Sequence, residues 1–457
     1  MNFTISTKPT KDGFHVLINQ KSHTVVYPHH IWNAFPKELH QPFSELIAFI
    51  STAHFGFHQK NKLQYMFPNP LAQSLYFYGL FLAMPENNLH FPNRKYKTTD
   101  YLRQVFNSFY RISFSGHPRP QILTEKMYQP DMKTVMLPFT FGKDSLLTLA
   151  ICKELEYKTL PIFILEPCQV YENKHKIKLI KKFKDEFGQD VITFSTPLAD
   201  LKENRGFVWG WDNFLTQYTF FLFPFIFFYK PAYFLWSNEK NRNSYIYDNE
   251  KFILNPTMEQ SSAWMQLLNT GLRMYGITAQ LGSILEPLTE LAVFYILHYM
   301  YPQLAKYQSS CVNEMPAAFS KKWCEQCDEC ARVYIYLLSL GINPRTVGFQ
   351  SNMLSLTKRG YFQIFSEKQS NNENYIDQFI FHKNEKLYAF YLAYKRGIRT
   401  GVMQEFIHRY LKRVRSKKHL FQKQYFQMYE SVSIPSALRK RALLLYNKFL
   451  SSASKIS

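Results

Sequence analysis

The sequence predicts an α/β fold: a doubly wound parallel sheet with an N-terminal α+β domain before it, a cysteine metal knot, and a basic helical segment after it. Three observations carry this. From Thr134 onward, short apolar strand-like runs and helical periods alternate strictly, which is the signature of βαβ units. The chain has 457 residues, 46% apolar, 17% aromatic and 19% charged, which gives room for two or three packed domains and excludes a disordered protein. Lys and Arg outnumber Asp and Glu by 55 to 34, a net charge of +21, so a partner or substrate is expected to be anionic: nucleic acid, a membrane surface, or a phosphorylated or carboxylated small molecule.

Residues 1–130 read as the N-terminal domain. Phe14 to Asn19 and Thr24 to Tyr27 are β-rich runs around Gln20-Lys21-Ser22, which predicts a hairpin. Asn69-Pro70 is expected to open an apolar helix over Leu71 to Met84, with Asn69 as its cap. His29, His30, His54 and His58 lack the second half of a metal pattern and read as surface or core histidines. Met1 to Asp12 is polar with no apolar core behind its lysines, so no signal peptide is expected. Six cysteines, four of them clustered, suit a reducing compartment, so a cytoplasmic location is expected.

Residues 131–348 hold the alternation. Thr134 to Phe139 is a strand, Asp144 to Leu155 a helix, Leu160 to Leu165 a strand, Asn173 to Phe187 a helix and Val191 to Phe194 a strand. Asn213 to Tyr229 is rich in Phe and Leu but is broken by Pro224 and carries Thr216 and Gln217, so it reads as a buried helix and no membrane contact is expected. Residues 349–457 are the basic part. From Lys395 to the end, 15 Lys and Arg face only Glu405 and Glu430, a net of +13. Met403, Phe406, Ile407, Tyr410 and Val414 recur there at helical spacing, which predicts an amphipathic appendage with nucleic acid as its candidate partner.

In a doubly wound sheet, ligands sit at the carboxyl ends of the strands, so the loop after the first strand is the place to look. It reads Pro138-Phe139-Thr140-Phe141-Gly142-Lys143-Asp144-Ser145-Leu146. A glycine at a strand-to-helix turn, followed by hydroxyl residues at a helix N-terminus, is what cradling a phosphate requires. A Walker A reading fails, because its first glycine falls at Leu137 and the residue after the lysine is Asp144.

The loop resembles the PP-loop, Ser-Gly-Gly-x-Asp-Ser, of the ATP pyrophosphatase superfamily, whose fold is HUP-like. Thr140, Gly142, Lys143, Asp144 and Ser145 match that motif in order, and Phe141 departs from it where the family has its first glycine. The resemblance implies ATP and Mg²⁺ as cofactors and cleavage between the α- and β-phosphates, with Thr140, Gly142, Asp144 and Ser145 on the pyrophosphate. Lys143 is then either a counter-charge or a side chain pointing to solvent. Glu166, at the end of the second strand, is placed to meet the nucleoside.

Cys311, Cys324, Cys327 and Cys330 form C-x12-C-x2-C-x2-C, four thiolates that can wrap one ion tetrahedrally, with Zn²⁺ as the default and an iron–sulfur cluster as the alternative. Cys152 and Cys168 read as buried thiols. A PP-loop followed by such a knot is similar to the cyano-deazaguanine synthase family of queuosine biosynthesis (QueC), and Glu286-Pro287-Leu288 precedes the cysteines at the corresponding place. The UDP-MurNAc-L-alanyl-L-glutamate epimerase family (MurL) is similar over more of the chain, through Ser237-Asn238-Glu239, Trp323-Cys324 to Ala331, and Phe379-Ile380-Phe381-His382 with Glu385.

Both resemblances imply adenylation of a carboxylate on a small anionic metabolite, with release of pyrophosphate and AMP. The MurL resemblance implies Asn238 and Glu239 for that acceptor, with Glu239 the first candidate for an acid–base role if a proton is abstracted, and Lys143 and Asp144 are expected in catalysis. The alternatives are a PP-loop enzyme modifying tRNA or another nucleic acid, and a non-catalytic nucleotide-binding component of a defence assembly. Glu286 and Glu290, four apart, read as a solvated pair or as partners of Arg273. Deleting the segment after Lys395 is expected to leave ATP chemistry intact.

Overall fold

The computed structural model describes residues 1–58, 60–86, 97–117, 128–202, 213–310, 322–365 and 380–456. Its N-terminal sheet runs β1 (Asn2–Thr10), β2 (Gly13–Ile18), β3 (Lys21–Val26), β4 (Lys62–Tyr65) and β5 (Ile112–Phe114), in the order β3-β2-β1-β4-β5. The β2–β3 hairpin is where the sequence places it, but its turn lies one residue earlier than expected. Asn19 and Gln20 take φ of 46° and 71°, which gives the two-residue connection that matches strand twist. β1 pairs with both β2 and β4 yet carries few apolar residues, so no periodicity announced it. The apolar helix after Asn69-Pro70 starts later than expected, at Gln73, and ends at Ala83; Ala72 precedes it and no side chain caps it.

The second sheet contains β6 (Asp131–Pro138), β7 (Lys158–Leu165), β8 (Ile192–Ser195), β9 (Pro231–Leu235) and, after the short β10 (Ile246–Tyr247) and β11 (Ile253–Leu254), β12 (Gln280–Gly282). Its order is β12-β9-β6-β7-β8 and every pair is parallel. Numbered from its first strand, that is 5-4-1-2-3, the doubly wound order. Alternation along the strands divides the interior. Val135, Leu137, Tyr233 and Leu235 face one apolar core, while Met136, Ile162 and Phe234 face another that also holds the N-terminal sheet.

Helix α1 (Lys143–Glu154) and α2 (Val170–Phe187) connect the first three strands. The Phe-rich stretch forms α3 (Phe214–Phe221) and α4 (Phe223–Tyr229), divided where Pro224 opens the second helix, and both pack into the N-terminal core. Among the described residues no helix is long and apolar enough to cross a membrane.

After β12 come α5 (Glu290–Met300), α6 (Asp328–Ser339), α7 (Ile380–Lys395), α8 (Met403–Arg409), α9 (Leu411–Ser416), α10 (Lys418–Tyr425) and α11 (Ser436–Leu450). The last five are no appendage. Met403, Phe406, Val414, Tyr425, Leu438 and Tyr446 belong to the same apolar core as Val135 and Leu137 of the sheet. Polar contacts tie them down as well: Thr289 Oγ1 donates to the Tyr425 carbonyl at 2.7 Å and Tyr446 Oη to that of Ile284 at 2.9 Å. Removing the segment would open the core, so it is not the separable appendage that the sequence suggested.

Candidate active site

The chain leaves β6 toward β7 and leaves β9 toward β12, on opposite sides. The connections after β6 and β9 therefore diverge, and a crevice opens at their carboxyl ends. One wall is the loop 139–142 with the start of α1, and the other is the segment 236–243.

Thr140 is exposed and Gly142 precedes α1 with φ −68°. No side chain caps this helix, so its first N–H groups lack a protein partner from a cap, while the Gly142 carbonyl accepts from Leu146 N at 3.0 Å and Ser145 Oγ at 3.1 Å. A Cβ added at Gly142 would meet only Thr140 Oγ1, at 3.4 Å, so the space above the loop is open. Phe141 adopts φ 59°, the left-handed conformation that a glycine takes easily. Its ring turns away from the crevice into a buried cluster with Phe139, Phe183 and Tyr307, at centroid distances of 4.7, 5.5 and 6.4 Å. The departure from glycine thus leaves the loop surface uncovered. Lys176 on α2 holds the loop from below, its Nζ donating to the carbonyls of Thr140 and Ser309, while Ser309 N donates to the Phe141 carbonyl at 2.7 Å.

Lys143 does not point to solvent. Its side chain is 5% exposed, and Nζ lies 2.8 Å from Asp144, 3.6 Å from Glu239 Oε2 and 3.5 Å from Glu290 Oε1. Glu239 arrives from the segment after β9, Glu290 is the first residue of α5, and Arg332 comes from α6 to within 3.6 Å of Glu290 Oε1. Arg242 stands 3.6 Å from Glu239 Oε1. The solvated-pair reading of Glu286 and Glu290 is therefore wrong. Glu290 belongs to this cluster, whereas Glu286 is buried elsewhere, accepting from Ser262, Ser431, Ser433 and the N–H groups of Val432 and Ser433. Arg273 donates to the carbonyls of Ile277 and Ala279 instead.

The protonation states differ within the cluster. Burial pushes the Glu239 carboxyl up to about 8, against the pull of Lys143. Burial raises Glu290 too, but Arg332 and Lys143 outweigh it and hold the group low. Glu385 of α7 is pushed up to about 7 by burial; it accepts from Leu291 N at 2.8 Å and Asn241 Nδ2 at 2.9 Å, joining α5, α7 and the turn after Glu239. Burial drives His382, one turn before Glu385, down to about 3, so it is neutral. Glu239 Oε2 and Glu290 Oε1 are buried oxygens without a hydrogen bond among the described residues, so the cations Lys143 and Arg332 at 3.5–3.6 Å are what offsets their burial.

The remaining expected residues are placed less centrally. Glu166 follows β7 and is buried; its Oε1 accepts from Lys202 and Tyr218, and its Oε2 has no hydrogen bond among the described residues. Asn238 is buried, with its amide 3.7 Å from Met265 Sδ and its carbonyl accepting from Ser283 Oγ at 2.6 Å. Sequence reasoning missed Lys176, Arg242 and Arg332 as site residues. Arg332 had one available signal, its position two residues beyond the last clustered cysteine; a lysine reaching a loop from the next helix leaves none.

Cys324, Cys327 and Cys330 bring their sulfurs within 4.8 Å of one another. Zinc–sulfur bonds of about 2.3 Å at tetrahedral angles put sulfurs about 3.8 Å apart, so the trio fits a metal such as zinc. Cys311 lies outside the described residues. Trp323, stacked on Phe349 at 4.7 Å and donating to the Val347 carbonyl at 2.8 Å, fixes the knot, and Cys327 starts α6. Cys152 is buried in the core as expected, while Cys168 is half-buried. Fold and site together define a mixed α/β protein with a parallel sheet, a charged crevice and a metal-capable cysteine trio. The chain matches no protein-family model, no curated protein and no solved structure.

Proposed function

We propose that the protein is a PP-loop ATP pyrophosphatase that adenylates a carboxylate of a small anionic metabolite, releasing pyrophosphate. The observation that carries the reading is the meeting, at the switch point of a 5-4-1-2-3 parallel sheet, of an uncapped loop-to-helix turn with Lys143, Asp144, Glu239 and Glu290. In this reading Thr140, Gly142, Ser145 and the first N–H groups of α1 receive the pyrophosphate. Lys143 balances charge gathering on phosphate oxygens, and Asp144 supplies a hard oxygen suited to Mg²⁺. Glu166 faces the nucleoside, and Asn238 and Glu239 the acceptor.

Of the two outcomes that the resemblances imply, epimerisation as in the MurL family is favoured over amide and nitrile formation as in the QueC family. Adenylation acidifies the C–H next to the activated carbonyl. A base removes that proton, an acid returns it to the other face, and water then releases AMP and restores the carboxylate. Glu239, buried and pushed up to about 8, carries a proton near neutral pH and can return one. Zinc at Cys324, Cys327 and Cys330, with Cys311 as fourth ligand, is structural.

Incubation with ATP, Mg²⁺ and UDP-MurNAc-L-Ala-L-Glu tests this. AMP, pyrophosphate and solvent deuterium in the recovered glutamate are expected, and Asp144→Asn should abolish all three while circular dichroism shows the variant still folded. ADP with phosphate, or AMP formed without any acceptor carboxylate, would overturn it.

A further inference from the structure

One long basic stretch of the C-terminal helices carries no acidic residue. Between Phe406 and Tyr429 there is no Asp or Glu, while Lys and Arg recur from Arg409 to Lys423. On α9 and α10 the apolar side is spent on the core, with Leu411, Val414, Phe421 and Tyr425 buried. Lys412, Lys418 and Lys423 on these helices and Lys417 between them are exposed, and none of the four side chains has an ion pair or hydrogen bond among the described residues. The nearest acidic residue, Glu405, is already held by Arg359 and Arg409, at 2.8 and 2.7 Å. The neighbouring guanidiniums are held in place. Arg413 donates to Asn384 Oδ1 at 2.9 Å and Arg415 to Tyr394 Oη at 3.3 Å, and Arg399 lies 3.6 Å from the Tyr394 ring centre.

We propose that the face of α9 and α10 is a docking surface for the phosphate backbone of a nucleic acid. Four exposed lysines within twelve residues and no carboxylate among them repel one another, which a polyanion relieves by exchanging its own counterions for them. Oriented guanidiniums beside them match phosphate geometry. A membrane surface fits less well, because a helix lying on lipid needs an apolar side to insert, and here that side is buried. Leu420 is the large apolar residue exposed on these two helices. The proposal is independent of the ATP reading, since these lysines lie outside the crevice residues described above.

The test uses the full chain, a labelled RNA hairpin and a labelled DNA duplex, read by anisotropy across ~50–200 mM salt. Four phosphate contacts predict a log–log salt slope near about −4 for a duplex and an affinity loss of about 100-fold over that range. Replacing Lys412, Lys417, Lys418 and Lys423 by Gln should flatten the slope by about 3–4. The same replacement at Lys8, Lys11, Lys37 and Lys62, exposed on the N-terminal domain, changes net charge equally and should leave the slope in place. All eight side chains are exposed, so melting should be unchanged in both variants. Failure of the wild type to bind either nucleic acid at ~50 mM salt, or equal weakening by both replacements, would overturn the proposal. So would binding to phosphatidylserine vesicles that only the α9–α10 replacement removes, with nucleic-acid binding intact.

Discussion

At Phe141 two preferences oppose each other. A left-handed φ costs a non-glycine residue about 1–2 kcal/mol, while emptying a buried aromatic site costs about 3–5 kcal/mol. The packing term is the larger, so Phe141→Gly should destabilise the protein by roughly 1–4 kcal/mol in urea unfolding; a gain in stability would show that strain governs the loop. Lys143 is the shared cation of two buried carboxyl groups, Glu239 and Glu290, and of half-buried Asp144. Lys143→Met leaves them without it and should cost about 3–5 kcal/mol, part of which Glu239→Gln in the same chain should return. The proton on Glu239 has its own consequence. The folded pKa of about 8 lies above the ordinary 4.5, so the folded state binds the proton more tightly. The stability this carboxyl contributes is whole below pH 4.5 and is lost as pH rises through 8. Melting curves of wild type and Glu239→Gln should therefore run together below pH 4.5 and separate progressively up to about 8, with the variant gaining; parallel curves across that window would place the Glu239 pKa near its ordinary value.

At the scale of elements, what could be read in advance depended on whether a local pattern existed. The strands and helices from β6 to β8 were legible because their apolar runs and helical periods alternate, and both shift by only a few residues in the structure. β1 was not legible, since a strand of mostly polar residues paired on both sides has no apolar period to detect. The site divides in the same way. Gly142 to Ser145 form a contiguous motif, whereas Lys176, Arg242 and Arg332 are gathered only by folding. The knot ties the two together, because α6 begins at the cysteines and carries Arg332 to Glu290. Cys324→Ser should therefore remove bound zinc on metal analysis and lower the melting temperature. It should also weaken nucleotide binding by calorimetry, through the displacement of Arg332 from Glu290. Full zinc content in that variant would show that the trio is not the ligand set.

On the scale of the whole molecule, the C-terminal helices show why composition alone misplaced them. A basic amphipathic helix has the same sequence whether its apolar side meets a partner or the chain's own core. Here it meets the core, and the polar locks lie far apart in sequence: Glu286 receives Ser431, Val432 and Ser433, and Gly282 at the end of β12 lies against Ser433. A Cβ at Gly282 would fall 1.8 Å from the Ser433 carbonyl oxygen, a backbone atom that cannot rotate aside. Gly282→Ala should thus push residues 431–435 off the sheet edge. Glu286→Ala leaves two backbone N–H groups and three hydroxyls without their acceptor, a loss on the order of 3–5 kcal/mol. The two substitutions strike the same contact from opposite sides, so in a double-mutant cycle their costs should fall well short of additive. Strict additivity in urea unfolding would mean that the C-terminal helices are held by their apolar face alone, and that Glu286 serves some purpose other than seating them.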